Sequence, residues 1–318
     1  RRRRLEKAPA GRGAPPPGGY QWWYVDAMSA DGRSSVTLIG FVGSVFSPYY
    51  AWAGRRDPLD HCALNVCLYG PGWSRWAMTE RGRGEVARAE HGIQIGASRI
   101  AWERDRLIVD IEERATPHLG RISGRVAVRP RALSETAFAL DAEGRHLWRP
   151  IAPTAAVDVA MSRPDFAWSG AGYLDMNWGA EPLEEGFALW DWARAPLADG
   201  SAAILYDALP RRGPPLRMAL RARTDGSLER AEPPPPRPLS RTLWRIARRM
   251  GADAGAPAPR EIRRLEDAPF YARDEAAARL FGEETRAMRE TFDGDRFRQA
   301  WVKALLPVRM PRLRGRRR

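Results

Sequence analysis

Cysteine is scarce in this chain: Cys62 and Cys67 are the only two in 318 residues. Both fall in the run HCALNVCLYG, and positions five apart on a strand face opposite sides. The pair therefore does not bridge, and both read as small core residues in a reducing compartment. Histidine is scarce too, with four in all. His61 stands beside Cys62, but no second Cys or His cluster completes a site around it, which argues against a bound metal. No apolar run reaches the roughly 18 residues that a spanning helix needs. The basic start leads into PAGRGAPPPGG and not into an apolar segment, so no secretory signal is expected. P-loop, GxSxG, HExxH and post-strand GxGxxG patterns are also missing, which removes most cofactor-dependent classes.

What is present is a core and a surplus of arginine. The hydrophobic content is 44% with 13 Trp, so the chain is globular. The net charge of +13 is concentrated: Arg1–Arg4, Arg237–Arg249 and Arg312–Arg318 hold fourteen arginines and no acid, leaving the rest near neutral. Charge confined to two ends and one internal segment suits docking on an anionic surface better than a basic groove, and argues against nucleic acid as a partner. Solvated, functionless ends are the competing reading.

Residues 1–17 are Arg, Pro and Gly rich and read as a disordered arm. From Tyr20, β-branched and aromatic runs alternate with turns: YQWWYVDAM, SVTLIGFVGSVF, HCALNVCLY, SRWAMTERG, GIQIGASRIAWE, RLIVDIEER and RISGRVAV. The turns at 31–32, 71–72 and 103–106 fit hairpins of an antiparallel meander. A similar series, from TAFALD through HLWRP, AAVDVAM, AGYLDMNWG, GFALWDWA, SAAILYDAL and LRMALRAR, forms a second block. The expected fold is therefore all-β, two consecutive barrel-sized domains over 18–152 and 153–311, with 312–318 a basic tail. The prolines of AEPPPPRPLS break the pattern. After them LSRTLWRIARRM places Leu243, Ile246, Ala247 and Met250 on one helical face and arginines opposite, which predicts a short basic amphipathic helix within 232–250. Its apolar side can meet a membrane interface or the protein body. Residues 270–293 fit either an Ala-rich helix or a long hairpin around a Gly turn, and RFRQAWVKALL predicts a helix closed by Pro307.

The candidate site lies between His146 and Asp175, in HLWRP and SGAGYLDMNWG. If both are strands, alternation puts His146 with Trp148 on one face and Tyr173 with Asp175 on another, so that a proton carrier, an acid and two rings can share a pocket. His61, His91 and His118 read as structural. Asp158, Asp165 and Asp191 are rival acids, Asp191 between Trp190 and Trp192 the strongest. On these residues alone, core rings, a loop cap and a hydrogen-bonded histidine are the favoured account of the four.

The runs GGYQWWYVDA, FVGSVFSPYYAWA, HCALNVCLYG, RWAMTERG, HLWRP, GYLDMNWG, APFYAR and PVRMPR, spanning 18–312, closely resemble the carotenoid 1,2-hydratases (hydroxyneurosporene synthases) of photosynthetic bacteria. The resemblance implies a lipocalin-like, or calycin, architecture of two β domains. It also implies addition of water across the terminal C1,C2 double bond of acyclic carotenoids such as neurosporene and lycopene, with no cofactor and no metal. The residues it implicates are Asp175, Tyr173, His146 and Trp148. Proton transfer to C2 leaves a tertiary cation at C1. A buried Asp175 held neutral suits the donor's part, the faces of Trp148 and Tyr173 the cation, and His146 the incoming water. A peripheral position on the cytoplasmic side of the inner or intracytoplasmic membrane, near other carotenoid biosynthesis enzymes, completes the expectation. A lipocalin-like pigment or lipid carrier without catalysis is the rival from another class.

Overall fold

The computed structural model describes residues 13–117 and 120–312. The expected arm (1–17) and tail (312–318), and His118, therefore lie wholly or largely outside the described residues.

The β-rich runs become strands in the order in which they were read. β1 (Tyr20–Ser29), β2 (Ser35–Val42), β3 (Cys62–Gly70) and β4 (Trp73–Arg81) form an antiparallel meander. Gly32 and Gly72 take left-handed φ values of 67° and 75° at its two tight turns, a conformation that a Cβ would disfavour. The loop after β2 carries a short helix, α1 (Pro48–Trp52), capped by the Ser47 side chain. A second meander follows, with β5 (Val86–Ala89), β6 (Gly92–Ile95), β7 (Ser98–Glu103), β8 (Arg106–Arg114) and β9 (Arg121–Pro130). After the two-residue β10 (Phe138–Ala139) come two long strands, β11 (His146–Arg163) and β12 (Asp165–Gly179). These insert between the meanders, giving one sheet in the order β4-β3-β2-β1-β12-β11-β9-β8-β7-β6-β5, with β10 on β11.

The second sheet is built from β13 (Phe187–Pro196), β14 (Ala202–Pro210), β15 (Leu216–Ala222), β16 (Leu228–Ala231), β19 (Arg260–Ala268), β20 (Tyr271–Leu280) and β21 (Glu283–Asp293), ordered β16-β15-β14-β13-β21-β20-β19. β17 (Pro236–Leu239) and β18 (Arg248–Gly251) make a separate hairpin. The helices are short: α2 (Leu183–Gly186), α3 (Gly294–Phe297) and α4 (Ala300–Leu305). The fold is all-β, as expected.

The chain divides into two units. One holds residues up to 137, 148–182 and from 304 onward, and the other holds 138–147 and 183–303. This differs from the sequential division at 152/153, which would fall inside β11. The reason is pairing: β12 lies against β1 in register from Tyr20↔Gly179 to Ser29↔Gly170, and β11 lies against β9, so both belong with the first meanders.

The basic amphipathic helix expected within 232–250 is not formed. Ile246, Arg248 and Met250 are buried while Arg245, Ala247 and Arg249 are exposed, a two-residue period and not 3.6. Arg248 points inward to Asp274, its Nη1 at 2.6 Å from Oδ2, and that partner requires the strand. The open choice over 270–293 resolves as the β20–β21 hairpin, whose Arg273–Glu290 and Arg286–Glu275 pairs cross between strands. The C-terminal helix is present but short, with Pro307 inside a following 3₁₀ turn (Leu306–Val308). Arg312, counted with the basic tail, belongs to the fold: the Glu80 amide donates to the Pro311 carbonyl, and Arg312 pairs with Glu80 and, at 2.8 Å, with Asp60.

Both cysteines are buried thiols outside any disulfide. Cys62 joins the aliphatic core of the first unit with Val25, Leu38, Leu64, Val157 and Leu174, whereas Cys67 faces the other way and bonds Asn65. His61 is buried with Nδ1 at 2.8 Å from Glu80 Oε1. Among the described residues no group of three His, Cys, Asp or Glu side chains is arranged to hold a metal ion.

One buried acid predicts a pH response. Burial pushes the Glu113 carboxyl up from 4.5 to about 7, against the opposing pull of Arg81 at 3.3 Å and Ser98 at 2.9 Å. Between those values the folded state holds a proton that the unfolded chain releases, so stability falls as pH rises through this window, by about 3 kcal/mol in all. Thermal melts from about pH 5 to about pH 8 should show a declining midpoint, and Glu113→Gln should flatten that slope. Parallel slopes for the two proteins would refute the assignment.

Candidate active site

Around β1 and the C-terminal half of β12 the sheet of the first unit is buried on both faces. Alternation sends Trp23, Val25 and Ala27 of β1 and Leu174 and Met176 of β12 into the aliphatic core. Their neighbours Tyr24, Asp26, Tyr173 and Asp175 therefore share the opposite face, which is aromatic and polar. The register places Tyr24 across from Asp175 and Asp26 across from Tyr173. On the far side of β1, Asp26 faces Thr37 of β2. The rings of Tyr24 and Tyr173 meet edge to face at 6.2 Å.

Asp175 is the focus of this face. Its Oδ2 accepts from Trp148 Nε1 at 2.8 Å and from the Tyr173 hydroxyl at 2.8 Å. Trp148 and Tyr173 are both 0% exposed and Asp175 is 5% exposed. Burial, and then the neighbouring Asp175 charge, raise the Tyr173 pKa well above 10, so the phenol keeps its proton. Two donors on Oδ2 have a chemical consequence. In the neutral acid, the carboxyl proton resides on Oδ1, and once that proton has left, both donors stabilise the anion.

The structure thus brings together three of the four residues expected from sequence: Trp148, Tyr173 and Asp175. His146 belongs to the second unit, two residues before Trp148 along β11. It is fully buried, its ring centroid is 4.7 Å from that of Phe187, and its backbone amide donates to Asp141 Oδ1 at 2.9 Å. Gly186, the last residue of α2, is shaped around it: a Cβ there would sit 2.0 Å from His146 Nε2.

The rival acids are otherwise engaged. Asp158 is paired with Arg129 at 2.6 Å and accepts from Ser169 at a half-exposed position. Asp165 opens β12 at an exposed position. Asp191 is buried, and desolvation raises its pKa against the pull of Arg289, but it sits in a charged network of the second unit with Thr291 and Arg289. Sequence reasoning missed Tyr24 and Asp26. The signal was an acidic residue, Asp26, inside the largely apolar and aromatic run YQWWYVDAM; it proves to be 0% exposed. Its relation to Tyr173 depends on pairing between strands some 150 residues apart, which no local pattern reports.

Residues 38–318 match the carotenoid hydratase CrtC family model. An acyclic carotenoid 1,2-hydratase from Rubrivivax gelatinosus is 48% identical over 302 residues, covering 93% of this chain and 74% of that protein. One from Cereibacter sphaeroides is 40% identical over 279 residues, covering 87% of this chain and 99% of that protein. An AttH-like protein from Nitrosomonas europaea shares the fold, with a TM-score of 0.59 at 17% identity over 86% of this chain and 92% of its own. With a family match across most of its length and relatives of this similarity, the chain belongs to the carotenoid hydratase family.

Proposed function

We propose that the protein adds water across the terminal C1,C2 double bond of acyclic carotenoids such as neurosporene and lycopene, with Asp175 as the acid. The observation that carries this reading is the buried carboxyl whose Oδ2 is held by the Trp148 and Tyr173 donors. Asp175 delivers the Oδ1 proton to C2, and the π electrons of the double bond form the new C–H bond. The cation left at the trisubstituted carbon C1 is tertiary, and aromatic faces near it stabilise it by about 2 kcal/mol each once water is excluded. Water then bonds to C1 and loses a proton, giving the 1-hydroxy product and returning one proton to the site. Atoms and charge balance without an electron carrier, so the reaction requires no redox cofactor.

In this reading His146 takes the proton from water, a role that rests on the family resemblance and on its place beside Trp148 along β11. Gly186→Ala tests it. The intruding methyl displaces the ring, and activity should fall about a hundredfold. The cost in stability should be only about 1–3 kcal/mol, read as a shift in the thermal midpoint. Unchanged turnover would remove His146 from the reaction.

Among the described residues no helix is long and apolar enough to cross a membrane. Peripheral contact with an anionic membrane surface on the cytoplasmic side, where an apolar polyene dissolves, and contact with other carotenoid biosynthesis enzymes belong to the same proposal. The decisive experiment gives the purified protein lycopene or neurosporene in detergent and ¹⁸O-labelled water, without nucleotide or added metal. The expected product carries one labelled hydroxyl at C1. Binding of the polyene with no gain of water would make the protein a carrier instead.

A further inference from the structure

The segment that failed to form a helix does something else. Between β17 and β18 the chain turns at 240–247, and the turn is held firmly. Ile246 N–H donates to Thr242 Oγ1 at 3.1 Å, Arg245 N–H donates to the Thr242 carbonyl at 2.9 Å, and both Thr242 and Ile246 are buried. Asp267 Oδ2 accepts from the Leu243 amide at 2.7 Å. This scaffold presents Leu243 outward, 87% exposed, with Trp244 at 41%. Trp301 of α4, 44% exposed, stacks on Trp244 at 6.2 Å, and Arg296 Nη1 donates to the Trp244 carbonyl at 3.0 Å. A rigid turn that keeps a leucine and two indoles in water is stabilised at the expense of their burial, which points to a partner that covers them.

The charges around the tip identify the partner. Arg241 and Arg245 flank Leu243, and no acid occurs between Arg237 and Met250. Two acids on neighbouring elements are engaged: Asp267 with the Leu243 amide and Arg264, and Asp295 with Arg211. Leucine and tryptophan with an arginine rim is the composition that inserts at a lipid headgroup boundary. We propose that Leu243, Trp244 and Trp301, flanked by Arg241 and Arg245, form the surface by which the protein docks on an anionic bilayer. The choice of a bilayer over a protein partner rests on the proposed function, since an acyclic carotenoid is held in lipid.

The test is flotation of the full chain with vesicles of phosphatidylcholine, alone or mixed with phosphatidylglycerol. Binding should favour the anionic vesicles and weaken with salt. Leu243→Glu combined with Trp301→Glu should weaken vesicle binding about tenfold or more, while hydration of detergent-dissolved substrate stays unchanged. Absence of flotation by the native chain overturns the proposal, and so does equal flotation by the double variant, which would assign binding to the arginine-rich ends. A concentration-dependent dimer in sedimentation that Leu243→Glu abolishes, without vesicle binding, would make a second copy the occupant and also overturn it. Failure of the hydration reading would appear separately, as loss of turnover in detergent by the native protein.

Discussion

Asp175→Asn should lower the turnover of hydration about a thousandfold, within the range that a general acid contributes, with the substrate KM nearly unchanged. The substitution keeps the size and shape of the side chain. An amide carbonyl in the place of Oδ2 still accepts from Trp148 Nε1 and the Tyr173 hydroxyl, both 2.8 Å away in the native protein. What disappears, on the proposed mechanism, is the proton that Oδ1 gives to the alkene. Because that proton is transferred only in the transition state, the loss falls on kcat and not on ground-state binding. The thermal midpoint should correspond to a change of about 1 kcal/mol or less, since both donors remain satisfied. Tyr173→Phe is a graded companion. It removes one of the two donors that steady the developing carboxylate, and should cost about a hundredfold. Turnover within tenfold of native in Asp175→Asn would move the acid's role to Asp26, the carboxylate across from Tyr173.

Asp274→Ala should destabilise the second unit by about 3–5 kcal/mol, a fall in midpoint on the order of 10 °C. Asp274 is fully buried between two arginines that are fully buried themselves: Arg248 reaches Oδ2 at 2.6 Å and Arg289 reaches Oδ1 at 3.3 Å. The aliphatic core of this unit is alanine-rich, with Ala193, Ala203, Ala276, Ala278 and Ala287, so it leaves room for long polar side chains inside the sheet. Removing the shared carboxylate leaves Arg289 with Asp191 at 3.7 Å and Arg248 with Glu261, one partner fewer for each. Pairing Asp274→Ala with Arg289→Met should recover part of the loss, because deleting both members of a buried pair costs less than orphaning one. Equal midpoints for the native protein and Asp274→Ala would mean that water already solvates this network.

Much of the architecture was legible from alternation and turn chemistry, because strands such as β3 and β8 and the turns at 31–32 and 71–72 are local features. Alternation made it legible that Tyr173 and Asp175 share a face, as do His146 and Trp148 if both runs are strands, but on the residues alone core packing was the favoured account, and only the family resemblance attached chemistry to them. The failures are all nonlocal. Leu243, Ile246 and Met250 fit a helical stripe over a short window, and only the fit of Arg248 to Asp274 reveals the strand. The alanines of β20 favour a helix in isolation, yet their pairing with β21 outweighs that small preference. The insertion of β11 and β12 beside β1, which also brings Asp26 opposite Tyr173, depends on long-range register that no segment encodes by itself.

The interleaving of the two units has a consequence for biosynthesis. β1 leaves the ribosome about 150 residues before its central partner β12, and β4 waits for the Pro311–Arg312 segment, which follows more than 200 residues later. Until β12 emerges, then, β1 has one unpaired edge, and the first unit closes only after nearly all of the second has been made. Such high contact order makes folding slow and the nascent chain prone to aggregation. Yield in a heterologous host should therefore respond to chaperone supply and growth temperature more than to substitutions that raise the midpoint of the finished protein.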